Sequence, residues 1–265
     1  MVDSVIDAAN WLFQSRLKKT VHENLPDTCY PDTTELAYRV QDQLVSKIIS
    51  SRDSRRIGYK IGCTNQQIME LLGTDEPFYG CIFSDSTYSS DAILSASDFT
   101  HRIVEAEFML VMGNDLPFSN KQYDAESIEP FIEALIPAIE IVDHRFTNFT
   151  QVGANALISD NGIHAASILG ELDVEKWKSM NLASQRVRLF VNDTLKEAGT
   201  GANVLGNPLN AMAWLANCLQ LQGKTLQEGE LVSTGAFCPI YSALAGDRIS
   251  ADFGVLGRVN LKFLR

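Results

Sequence analysis

At 265 residues the chain is long for one small module and short for two ordinary enzyme domains, so one large domain with an appended segment is expected. Hydrophobic residues at 45% and charged residues at 21% exclude a disordered chain. The net charge of -11 argues against nucleic acid or an anionic membrane as partner, but not against a small anionic substrate, because one metal ion or lysine can reverse the field locally.

Apolar clusters from Val5 to Leu17 predict a first helix. Leu36, Val40, Leu44 and Ile48 repeat every four residues and predict a second, with Asp32 and Glu35 spaced as its capping box. Pro26 and Pro31 bracket the loop between them, and Ser50 to Arg56 reads as the exit into the main domain. The expected division is therefore a helical segment over 1–56 and a catalytic region over 57–265. From Ile57 the pattern changes to short strand-like runs with glycine, beginning with Ile57-Gly58-Tyr59-Lys60-Ile61-Gly62. Thr64 and Gln67 have capping-box spacing for a short helix, Ile68 to Leu72, which Gly73 closes. Glu105 to Met112 alternates as a strand, and Val187 to Leu195 reads as a hairpin turning at Asn192-Asp193. Asn207-Pro208 is a helix start for Leu209 to Leu221, with Gly223 as the stop. Strands return at Glu230 to Thr234 and where Val259, Leu261 and Phe263 alternate. Helices do not alternate regularly with strands, which predicts an α+β fold rather than a doubly wound sheet.

No run approaches the roughly 18 apolar residues of a membrane span. Met1-Val2-Asp3-Ser4 lacks the basic start of a signal peptide. Cys29, Cys63, Cys81, Cys218 and Cys238 form no Cys-x-x-Cys pair, so a reducing cytoplasm is expected.

Glu105 and Glu107, two apart on a strand, project from one face with Cα atoms roughly 6.5 Å apart. Glu140 lies in the apolar run Ile136 to Val142, where an acid is costly to bury unless paired or metal-bound. Three converging carboxylates suit a hard ion such as Mg²⁺ or Mn²⁺. The alternative is a solvated strand face for the first two and a Glu140–Arg145 pair, and spacing alone favours it. Lys60, inside an apolar glycine-flanked strand, is either a buried acid/base or a surface lysine on an edge strand. Asp160-Asn161 is either a polar site loop or a turn. His22, His101, His144 and His164 show no ligand or triad spacing and read as structural or exposed. No nucleophile elbow or phosphate loop is present.

Taken in order, Gly58-Tyr59-Lys60-Ile61-Gly62-Cys63-Thr64, Glu76-Pro77-Phe78-Tyr79-Gly80, Glu105-Ala106-Glu107, Pro137 to Arg145, Ser159-Asp160-Asn161, Leu205 to Ala211 and Gly246-Asp247 form a specific set. The sequence resembles the 2-keto-4-pentenoate hydratase and 4-oxalocrotonate decarboxylase group of the fumarylacetoacetate hydrolase superfamily, from about Ile57 to Phe263. The resemblance implies a mixed, rolled β-sheet core with peripheral helices, assembled into homo-oligomers, for which the apolar 209–221 helix is a candidate surface. It implies Mg²⁺ or Mn²⁺ held by Glu105, Glu107 and Glu140, and Lys60 as the active-site lysine. It implies 2-oxo or 2-hydroxydienoic acid substrates whose C1 carboxylate and C2 oxygen chelate the metal, with Phe78, Asn161, Thr234 and Gly235 at the substrate.

Hydratases of the group tend to carry aspartate where Phe78 stands. Asp85, Asp160 or a metal-bound water are then the candidate bases for the water added at C4. Arg145 to Phe149 leans toward decarboxylases, and Thr234-Gly235-Ala236 followed by Pro239 toward hydratases. Hydration is the leading expectation. Decarboxylation or carbon–carbon hydrolysis on the same platform is the alternative, the latter with His22-Glu23 as its only adjacent dyad. A non-catalytic supporting subunit is the third reading, against which the intact acid set argues.

Overall fold

The computed structural model describes residues 2–265. Its helices are α1 (Val2–Lys18), α2 (Thr34–Ser51), α3 (Gln66–Leu72), α4 (Ala125–Ile128), α5 (Ala154–Ser159) and α6 (Pro208–Leu221). Its strands are β1 (Arg56–Gly62), β2 (Phe78–Phe83), β3 (Thr87–Ser89), β4 (Ala92–Ser95), β5 (Ile103–Met112), β6 (Ile132–Val142), β7 (His164–Leu169), β8 (Arg186–Val191), β9 (Thr194–Thr200), β10 (Leu231–Ser233), β11 (Tyr241–Ser242), β12 (Arg248–Asp252) and β13 (Arg258–Leu264). The α+β expectation holds. A mixed sheet runs β2-β1-β10-β5-β6-β7-β3, with β11 on β5, and a second runs β4-β13-β12-β8-β9.

β5 and β6 are the central pair, antiparallel over their whole length, with Glu105 directly opposite Glu140. On one face of β5 the acids Glu105 and Glu107 give way to Met109 and Val111, which pack with Ile82, Ala134 and Ile136. The other face buries Phe108 against Phe237 and Phe253, at centroid distances of 4.6 and 5.6 Å. The site strand is thus anchored from beneath by aromatic packing.

The first two helices belong to the same core. Val5, Leu12, Val40, Leu44 and Ile48 are buried in one cluster with the sheet, and each such Val, Leu or Ile contributes about 1.5–3 kcal/mol by leaving water. Gln41 on α2 is buried and donates to the carbonyls of Tyr79 and Ile158, both at 2.8 Å. These bonds tie α2 to β2 and to α5.

Two helix starts fall one residue later than the spacing predicts. Thr33, not Asp32, caps α2, its hydroxyl accepting from the Leu36 amide. Asn65, not Thr64, caps α3, accepting from the Gln67 amide at 2.9 Å. In each the residue with extended backbone just before the first turn takes the cap, and this frees Thr64 for the cavity described below. The turn at Asn192-Asp193 forms with both residues at positive φ, as a tight hairpin requires. Asn207 caps α6 as expected, accepting from the Leu209 amide. That helix, however, buries Leu209, Met212, Leu215, Ala216 and Leu219 within its own chain. Most of its apolar side chains are thus spent on the core of its own chain, with Leu221 at its end left exposed.

Candidate active site

Five neighbouring strands deliver polar side chains to a single place. Register sets Lys60 on β1 beside Ser233 on β10, while β5 supplies Glu105 and Glu107 and β6 supplies Glu140. β7 adds His164, and Ser167 opposite Glu140. Directly opposed residues in such ladders have Cα atoms about 4.5–5.5 Å apart, so the side chains must meet.

They do. One carboxylate oxygen from each of Glu105, Glu107 and Glu140 lies within 4.8 Å of the others. Glu107 and Glu140 are fully buried and Glu105 is half-buried. Lys60 is buried, with Nζ 3.5 Å from Glu140 Oε1. Both open alternatives for these residues therefore fall. Lys60 is no surface lysine, and Arg145 pairs with Asp143 at 2.8 Å rather than with Glu140.

The chain also holds these acids in place. Glu107 Oε2 accepts from the Gly235 amide at 2.9 Å and from the Ser233 hydroxyl. Gly235 can do this only as glycine: its φ is +110°, and a Cβ there would meet the Thr64 hydroxyl at 2.1 Å. Glu140 Oε1 bonds His164 Nδ1 at 2.8 Å. Glu107 Oε1 and Glu140 Oε2 are buried and have no hydrogen-bond partner. Burial pushes the Glu107 carboxyl well up, and the neighbouring charges of Glu140 and Glu105 push it further. Burial acts the same way on Glu140, but Lys60 and His164 outweigh it and hold that carboxyl down. Burial disfavours the Lys60 ammonium, yet Glu140, Glu105 and Glu107 together keep its pKa raised. Crowded acids with orphaned oxygens and an all-oxygen donor set fit a hard divalent cation.

Above them opens a cavity of about 910 Å³. Glu105, Gly62, Cys63, Thr64, Ile103 and Ile163 line its inner part or walls, and Glu107, Glu140 and Lys60 lie behind Glu105. Cys63 and Cys238 also line it, but burial pushes both thiols up to about 12, so neither is a thiolate nucleophile.

Several expected site residues stand elsewhere. Asp85 is off the cavity, bound by Arg52 at 3.0 Å and by Ser54. It follows β2 in a short turn that points it to these neighbours and away from the cavity. Asp160 is fully buried and held by Arg16 of α1, Nε to Oδ1 at 2.7 Å, with Arg145 also near. Its carboxylate is committed to an ion pair. Asn161 gives both ends of its amide to the Cys81 backbone, at 2.7 and 2.9 Å. It splices the loop to β2, where Gly80 is required because a Cβ would sit 2.2 Å from the Asn161 carbonyl. Thr234 donates to the Phe108 carbonyl at 3.0 Å and is likewise structural. Phe78 does not line the cavity; its ring lies 5.8 Å from Lys60 Nζ, behind the wall. His22 bonds Ser15 and Thr20 and packs against Trp11 at a tilt, so it forms no dyad at the site.

His164 is the functional residue that spacing missed. Only its position opposite Val142 on the neighbouring strand, beyond a left-handed turn at Asn161 and Gly162, brings it to Glu140. No local sequence signal marks it. His101 and His144 stack at 3.7 Å beside Phe149, which lines the cavity. Burial and then the neighbouring His101 lower the His144 pKa to about 4, so it is neutral at pH 7.

Residues 63–263 match the family model described as fumarylacetoacetate (FAA) hydrolase C-terminal. The chain is 32% identical over 227 residues to 2-keto-4-pentenoate hydratase 1 of Dechloromonas aromatica (strain RCB), covering 86% of this chain and 84% of that one. It is 30% identical over 258 residues to the 2-keto-4-pentenoate hydratase of Paraburkholderia xenovorans (strain LB400), covering 97% and 94%. In fold it superposes on the 4-oxalocrotonate decarboxylase of Pseudomonas putida G7, solved with magnesium and adipate, with a TM-score of 0.92 and 24% identity over 100% of this chain and 98% of that one.

Proposed function

Because the chain belongs to the fumarylacetoacetate hydrolase C-terminal family, we propose that it is a divalent-metal-dependent hydro-lyase that adds water to a 2-hydroxy-2,4-dienoate of the 2-keto-4-pentenoate type, giving a 4-hydroxy-2-oxo acid. The observation that carries this reading is the trio Glu105, Glu107 and Glu140, with two buried oxygens left unpartnered, at the end of a cavity beside a buried lysine. The trio would hold Mg²⁺ or Mn²⁺, and such an ion supplies positive charge where the substrate's carboxylate and C2 oxygen bind.

The chain's own residues do the rest. Gly235, Ser233 and His164 fix two of the acids so that they need not reorganise. Lys60, kept cationic by the acids, lies close enough to that end of the cavity to orient an anionic substrate or assist a proton transfer. The water added at C4 needs a proton acceptor. With Asp85 and Asp160 committed elsewhere, Asp75 and Glu76 are the remaining carboxylates on the wall besides Glu105. In this reading residues 57–265 carry the chemistry, and the 1–56 segment buttresses it through Arg16 and Gln41.

The decarboxylase alternative has the fold superposition in its favour. One assay separates the two. Metal-supplemented protein is expected to consume the ultraviolet absorbance of 2-hydroxypenta-2,4-dienoate without CO2 release. CO2 release from 2-oxo-3-hexenedioate, with no hydration of the dienol, assigns the protein to the decarboxylases instead.

The same reading carries a homo-oligomer. Ile93, Leu244, Val255 and Leu264 are exposed apolar side chains outside α6 and are the candidates for its contacts. Light scattering at micromolar concentration is expected to give a multiple of the chain mass, and a monomeric mass contradicts it. All five cysteines are free, which fits a reducing cytoplasm, and no described helix is long and apolar enough to cross a membrane.

A further inference from the structure

The cavity is charged unevenly. At one end Glu105 lines it, with Glu107, Glu140 and Lys60 next to that carboxylate. Elsewhere no arginine, lysine or histidine lines it among the described residues. The charged groups there are Asp75 and Glu76, both exposed, and much of the remaining wall is apolar, including Ile68, Met69, Trp214 and Ile240.

A 2-oxo acid seated with its C1 carboxylate at the Glu105 end extends its tail along this wall. An apolar tail buries surface there and needs no partner. A second carboxylate at the tail meets no cation and faces two carboxylates of its own sign. Room is not the constraint: about 910 Å³ lies at the upper end of ligand cavities, and a five-carbon acid leaves much of it unfilled.

Resting on the reading of this cavity as a 2-oxo and 2-hydroxydienoic acid site, we infer that it selects substrates whose distal end is uncharged and apolar, with room for an alkyl or aryl group, and rejects 2-oxo dioic acids. Asp75 and Glu76 are its specificity-determining residues.

Binding tests this apart from any reaction. Calorimetry with the Mg²⁺-loaded protein compares 2-oxoheptanoate with 2-oxoheptanedioate, which differ only in the terminal carboxylate. The monoacid is expected to bind at least about tenfold tighter, because like charges brought together cost one or more factors of ten. In the double variant Asp75→Lys, Glu76→Lys the ratio of dioate to monoacid affinity is expected to rise by at least about tenfold. A dioate that binds the wild type as tightly as the monoacid overturns the inference. An unchanged preference in the double variant overturns the assignment to Asp75 and Glu76. A clear preference for the monoacid with no hydration of any dienoate leaves the inference standing and sinks the hydratase reading. Binding of neither acid overturns both.

Discussion

Glu107→Gln is expected to abolish metal-dependent turnover, a loss on the order of 10³-fold or more, since losing even one charge-stabilising group costs roughly 10²–10³-fold. The substitution is nearly isosteric. Its carbonyl oxygen can still accept from the Gly235 amide and the Ser233 hydroxyl, so the local structure is retained. What changes is the other end, where an amide NH2 replaces the unpartnered oxygen Oε1 and cannot ligate a cation. The variant also removes one of three crowded carboxyl groups, the one that burial and its neighbours disfavour most as a charge. Its thermal stability in chelator should therefore match or exceed that of the wild type. The discriminating measurement is the melting shift on adding Mg²⁺ or Mn²⁺. A ligand at 100 times its dissociation constant stabilises by about 2.7 kcal/mol, and this increment should vanish in the variant. A variant that melts lower in chelator, yet keeps the full metal-induced shift, would place the ion somewhere other than on Glu107.

Lys60→Met is expected to lower kcat by about 10²–10⁴-fold, the usual contribution of a positioned proton donor or acceptor. Methionine fills the space of the lysine stem under Phe78 and Gly162 without its charge. The sign of the metal effect makes this informative. The ammonium lies 3.5 Å from Glu140 and repels any cation that the acids hold. Its removal should leave metal affinity unchanged or make it tighter while turnover collapses. A lysine that served only to hold the acids in place predicts the reverse, weakened metal binding and a proportional loss of activity. Titrating metal against both activity and melting temperature in one preparation distinguishes these outcomes.

Local chemistry made a large part of this protein legible from the chain alone. Of the stripe Leu36, Val40, Leu44 and Ile48, the last three lie on the buried face of α2 and Leu36 is half-buried against it, because a period near 3.6 is a property of the segment itself. Asn207-Pro208 started α6 and Asn192-Asp193 turned the hairpin, since cap and turn preferences act over two or three residues. The ordered motifs indicated the family, and the two-residue spacing of Glu105 and Glu107 put both acids on one face. Only the tertiary structure decided which polar residues serve the site. Asp85, Asp160, Asn161 and Thr234 are as polar as the residues that remain, but each is taken up by a partner remote in sequence, such as Arg52, Arg16, the Cys81 backbone or the Phe108 carbonyl. His164 reached Glu140, and Ser233 reached Glu107, across 24 and 126 residues of chain through strand register. The apolar 209–221 helix turned inward rather than out. Periodicity states that a side chain has a face but not what the face will meet, because that depends on strand order and register, which the segment does not encode by itself.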